Sequence, residues 1–94
     1  MIKHIVFFTA KNADDIDAIY DGLKMLETIE CDGTVRIHRN LKIDQIGNDV
    51  DIIVYGEFKN NAAMQTYKSH PTYQKSINTV RPLRDMRVAA NFDF

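Results

Sequence analysis

The sequence predicts an α+β fold with the element order β-α-β-β-α-β, a four-stranded antiparallel sheet carrying two helices on one face. Three observations predict it. Four β-rich stretches punctuate the chain, two amphipathic helical stretches follow the first and third of them, and the first and third strands carry apolar residues on both faces. The 94 residues are expected to form one domain, 1–94, around one core. With 45% apolar and 27% charged residues, the composition is that of an ordinary globular protein.

Each element has a local reason. In "IKHIVFFT" (2–9), His4, Val6 and Phe8 alternate with Ile5 and Phe7, so the strand expects cover on both sides. Asn12 followed by Asp15 reads as an N-cap with an acidic third position, and Ile16, Ile19, Tyr20, Leu23 and Leu26 follow helical spacing. A helix over about 13–30 results, ended by "CDG" with Gly33 as the stop. "TVRIHRNLKID" (34–44) alternates Val35, Ile37, Leu41 and Ile43 against Arg36, His38, Asn40 and Lys42, a strand with one polar face. "IGND" (46–49) is a turn, and "VDIIVYGEFK" (50–59) is a strand apolar on both faces.

Asn60 or Asn61 caps a second helix, on which Ala63, Tyr67 and His70 stand at i, i+4 and i+7, so Tyr67 and His70 share a side. Pro71 disfavours helical geometry at His70 but suits a first helical turn. A break at 69–70 follows, then a segment over about 72–80 with Tyr73, Ile77 and Val80 as its apolar stripe. "MRVAANFDF" (86–94) is a last strand with Met86, Val88, Ala90, Phe92 and Phe94 on one face. The order is that of the ferredoxin-like fold.

Charge and cysteine usage narrow the partners. The net charge is −1 with acids and bases interspersed, so no basic face awaits the phosphates of a nucleic acid. The longest apolar run, "IVFF", falls far short of the ~20 residues of a membrane span, and "MIKHIVFF" lacks a signal-peptide cleavage region. No membrane partner and a cytoplasmic location are expected. Cys31 is alone, which fits a reducing compartment, and Glu30 and Asp32 beside it disfavour a reactive thiolate.

Two helices cover one sheet face only. Whichever register holds, the other face keeps Val6 and Phe8 or Ile5 and Phe7, together with half of Ile52, Ile53, Val54 and Tyr55. That is an apolar patch of several hundred Å², which monomers seldom tolerate. A homodimer joined through the helix-free sheet face, its two sheets forming a barrel-like sandwich, is the expected remedy. If the His4, Val6 and Phe8 face lines the dimer interior, His4 points into a shared cavity.

Few residues offer chemistry. His4, His38 and His70 lie on separate elements without metal-ligand spacing, so no metal is expected. His38 belongs to a solvated strand face. There is no phosphate loop, no GxSxG and no CxxC. What remains is Tyr67-x-x-His70-Pro71-x-Tyr73, whose side chains can converge because the proline turns the chain. In structural terms the same stretch is a helix break, with His70 capping and Tyr67 and Tyr73 packing.

The sequence resembles the stress-responsive A/B-barrel (Dabb) domains of the dimeric α+β barrel superfamily. The resemblance runs through "IKHIVFF", "VRIHRNL", "VDIIVYGEF", "AMQTYKSHP" and "MRVAANFDF", and the aromatic-x-x-His-Pro after the third strand is its strongest local match. It implies a ferredoxin-like protomer in a homodimeric barrel. For function it implies a stress-responsive protein of undefined activity, without cofactor. The residues themselves add the expectation of a small, partly apolar cavity per subunit near His4, Val6, Phe8, Tyr67, His70 and Tyr73, binding a small apolar or aromatic molecule. The alternative the resemblance implies is a cofactor-independent cyclase, similar to olivetolic acid cyclase, or a small-molecule oxygenase, with His70, Tyr67 and Tyr73 as catalytic residues.

In the cyclase the motif continues to His-Pro-x-His, and its second histidine is the base. Tyr73 occupies that place here. A phenol ionises near pH ~10 against ~6.5 for imidazole, a disadvantage of roughly 5 kcal/mol for a base at neutral pH. The cyclase mechanism therefore does not carry over as it stands, whereas donation by Tyr67 and Tyr73 to an enolate or oxyanion does.

Overall fold

The computed structural model describes residues 1–94. Strands β1 (Ile2–Ala10), β2 (Gly33–Arg39), β3 (Ile52–Phe58) and β4 (Arg84–Asp93) form an antiparallel sheet in the order β2-β3-β1-β4. Helices α1 (Ile16–Lys24), α2 (Asn61–Ser69) and α3 (Pro71–Val80) complete a ferredoxin-like β-α-β-β-α-β chain whose second helix is in two pieces. No helix is long and apolar enough to cross a membrane.

Register decides which side of β1 is covered. Val6 lies across from Val54, which in turn faces Ile37 of β2, and all three are buried beneath the helices with Phe8, Ile52 and Phe58. From the helix layer Ile19, Leu23, Leu26, Met64, Tyr67 and Val80 close the core. At Gly22, α1 and α3 approach so closely that a Cβ would stand 2.9 Å from Val80 Cγ2. Ser76 Oγ donates to the Gly22 carbonyl at 2.8 Å, locking the two helices at that point.

The opposite face has no helix. There Ile53, Phe7 and Val88 form one row across the sheet, and Tyr55, Ile5 and Ala90 the next. Phe7, Met86, Val88, Phe92 and Phe94 are exposed, the two-sided greasiness that the strands show in sequence.

Asparagines cap the first 3₁₀ turn and α2. Asn12 Oδ1 accepts from the Asp14 N–H and Asn60 Oδ1 from the Ala63 N–H, each at 2.9 Å. Pro71 opens α3 at its first turn, and His70 is the extended residue between α2 and α3, at φ −69° and ψ 140°. Tyr67 and His70 therefore do not share a helical side, because the proline drives His70 out of the helix.

Three expectations need correction. The first helix is α1 flanked by short 3₁₀ turns, Ala13–Asp15 and Met25–Thr28, and Ile29 is already extended. Gly33 is not a helix stop: it begins β2, where a Cβ would come within 2.4 Å of the Glu57 carbonyl oxygen, so strand crowding requires the glycine. The second strand ends at Arg39 rather than continuing to 44. Asn40 turns the chain by donating from its side chain to the Val50 carbonyl at 2.7 Å, Lys42 takes a φ of 56°, and Leu41, Ile43 and Ile46 are exposed in the loop.

Candidate functional site

A cavity of about 320 Å³ lies between the sheet and the helices. Its floor comes from β1 and β3 through His4, Val6, Phe8 and Val54, and its roof from the helices through residues such as Tyr67 and Val80. His4 is on the helix-covered face and not on the helix-free one, so the cavity belongs to one subunit. A His4 facing a shared dimer interior is thus corrected: the pairing of Val6 with Val54 turns that whole side of β1 inward.

Aromatic packing orders the site. The Phe58 ring lies 6.3 Å from the His4 ring and 5.2 Å from Tyr67, and Tyr73 meets Tyr67 edge-on at 5.1 Å and 74°. Such tilted and edge-on contacts fix ring orientation as well as burying area. Tyr67, 1% exposed, is the third residue from the end of the nine-residue α2, and Tyr73 lies in the first turn of α3.

The His4 Nδ1–H donates to Asn91 Oδ1 across the β1–β4 pair, which leaves Nε2 with the lone pair of a neutral imidazole. Burial, the largest influence, holds the His4 pKa below its ordinary value. The Asn91 hydrogen bond opposes this, and the charges of Lys68 and Arg87 reinforce it. Tyr67 moves the other way: burial above all, with Tyr73 and Cys31 adding and Arg87 opposing, pushes its phenol well above the usual range. Near neutrality His4 is an acceptor and Tyr67 a donor.

Neither Tyr67 Oη nor His4 Nε2 hydrogen-bonds within the chain, yet no buried side-chain nitrogen or oxygen is left sealed without a partner. Both atoms therefore border open space, and the space common to the two residues is the cavity. Cys31 lies outside it, its thiol pushed up by burial and by Asp32.

Of the residues singled out in the sequence, His4, Val6, Phe8, Tyr67 and Tyr73 come together around this space. His70 does not. Its Nδ1 accepts from the Thr72 N–H at 3.0 Å, capping α3, and its own N–H donates to the Tyr67 carbonyl at 3.3 Å. His38 is exposed beside Ile53 on the helix-free face. Sequence reasoning missed Arg81, Arg84 and Arg87, which line the cavity where it opens beside β4. Their signal was an R-x-x-R-x-x-R spacing at 81–87.

The family described as "Stress responsive A/B Barrel Domain" matches residues 2–94. The chain belongs to that family. Solved structures agree with this A/B barrel chain in fold. A dimeric ferredoxin-like protein of unknown function from Thermobifida fusca superposes with a TM-score of 0.80 at 20% identity, over 99% of this chain and 90% of that one. A Dabb family protein with a ferredoxin-like fold from Mesorhizobium loti gives 0.78 at 23% identity, over 98% and 94%. An antibiotic biosynthesis monooxygenase gives 0.76 at 12% identity, over 100% and 98%. No curated protein matches the A/B barrel sequence.

Proposed function

We propose that this A/B barrel protein is a cytoplasmic homodimer, joined through its helix-free sheet face, that binds one small, partly apolar molecule in the cavity of each subunit. The observation that carries the binding reading is the pair of unpartnered polar atoms, Tyr67 Oη and His4 Nε2, on an otherwise largely apolar wall. Buried polar groups left for a guest to satisfy give a site its specificity. At about 320 Å³ the cavity is at the lower end of the roughly 300–1,000 Å³ of small-molecule sites, so the guest is small.

Two features support the dimer. The T. fusca neighbour and another from Bacteroides fragilis are described as dimeric. The exposed row through Phe7 and Val88 offers each copy an apolar patch, and sealing several hundred Å² on both at ~25 cal/mol per Å² yields roughly 10 kcal/mol before association entropy.

The cavity is tested with the neutral aromatic probe 4-fluorophenylacetamide. It should shift the His4 imidazole resonance in the wild-type protein. Ile77→Trp, which adds an indole at a half-buried position of the wall, should abolish that shift with helical circular dichroism retained. Binding undiminished in the variant would place the probe elsewhere and remove the reading.

A second reading, cofactor-independent acid–base catalysis, is favoured by one observation: a neutral imidazole and a neutral phenol border the same space, an acceptor and a donor for an enolising substrate. Turnover on such a substrate should vanish in His4→Asn. It should survive in His70→Ala, which loses only the α3 cap, about 1 kcal/mol by urea unfolding. Loss of turnover in His70→Ala with the fold intact would return the catalytic role to His70.

A further inference from the structure

The chain leaves the arginines at the cavity mouth without counter-charges. Arg81, Arg84 and Arg87 border the cavity, none is ion-paired, and none of the 14 lining residues is Asp or Glu. Three other cations are neutralised locally: Lys24 lies 3.0 Å from Glu27, Arg39 2.7 Å from Asp17 and Lys42 2.6 Å from Asp51. In a protein with 13 acidic residues and a net charge of −1, an acid-free lining beside three arginines is a local excess of positive charge. Low-dielectric walls focus such a field into the cleft.

Strand geometry brings two of the three to one side. Residues three apart on a regular strand point to opposite faces. Arg87, however, pairs with Phe8 and Arg84 with Ala10, so β4 spends three steps where β1 spends two. The bulge returns Arg84 to the side of Arg87 and Phe8, the side of the cavity. Bulges recur beside binding sites because they re-aim a side chain in this way. Arg81, directly after α3, adds a third guanidinium from the helix layer.

We infer that the rim selects for negative charge: the ligand is a small aromatic or acyl carboxylic acid whose apolar body lies against Val6, Phe8 and Val80 while its carboxylate engages Arg84 and Arg87. The planar guanidinium fork matches a carboxylate in two hydrogen bonds, and a charge-assisted pair is stronger than a neutral one. The inference rests on the cavity reading above and adds the chemical class of the guest.

The test compares 4-fluorophenylacetate with its neutral amide, 4-fluorophenylacetamide, by ¹⁹F NMR titration with the His4 imidazole resonance as reporter of occupancy. The carboxylate should bind at least about tenfold tighter than the amide, and that advantage should shrink as sodium chloride is raised. Arg84→Gln/Arg87→Gln should erase the advantage by weakening the carboxylate far more than the amide, while Arg84→Lys/Arg87→Lys should keep part of it. Equal binding of both probes to the wild type would overturn the anion inference and leave the cavity reading standing. An advantage that persists in the double glutamine variant would overturn it too. Failure of both probes to move His4 would remove the cavity reading and this inference with it.

Discussion

Phe7→Asp is expected to turn the proposed dimer into a folded monomer. Phe7 stands between Ile53 and Val88 in register, at the middle of the helix-free face, and is 39% exposed in the isolated chain. It takes no part in the buried core, so the protomer should keep its helical circular dichroism. A two-fold interface presents the same patch twice, so a single substitution places two carboxylates in the contact. Each loses water without gaining a cation, at several kcal/mol apiece, so the dissociation constant should rise by roughly three orders of magnitude or more. Sedimentation velocity over a concentration series reads this directly. A variant that sediments as a dimer would show that the contact lies on another surface, and a wild type that stays monomeric at high concentration would end the proposal.

Phe58→Ala should have the largest effect on stability. The ring is fully buried at the end of β3, tilted against both His4 and Tyr67. Two glycines make room for it: a Cβ on Gly33 or on Gly56 would come within 2.8 Å of ring atoms. Truncation leaves a void beneath both polar residues of the cavity, because the flanking backbone has no side chains with which to fill it. Losing a buried phenylalanine costs roughly 3–5 kcal/mol, a large share of the 5–15 kcal/mol that stabilises a domain. For a chain of this size the melting temperature should fall by about 20 °C. A fall of only a few degrees would mean that the site tolerates the loss of its central ring.

The sequence displays the two-sided strands and the helix break openly, since period-two alternation and the rule for a residue before proline are local properties. Which side of β1 turns inward is not local: Val6 with Phe8 and Ile5 with Phe7 look alike until β3 pairs with them and α1 lands on one side. Continued alternation through Leu41 and Ile43 imitates strand, but the Asn40 side chain ends the ladder by bonding to the chain returning at Val50. Gly33 reads as a helix terminator because its true constraint, the Glu57 carbonyl, is 24 residues away in sequence. The site shows the same division. Tyr67 and Tyr73 are found through the motif and His4 through its strand, whereas Arg84 and Arg87 share a side only because of a bulge that no local pattern announces.

β4 is an edge strand that packs along β1 and has no helix laid over it, and Arg87 and Asn91 on its inner side remain in water. For the proposed guest, an approach to the chamber beside that strand would cross no helix and would need no helix to swing aside. Arrival is then governed by diffusion and electrostatic steering, and dwell time by the strength of the grip alone. Differences among guests would be written in how fast they leave, with no gating step to mask them.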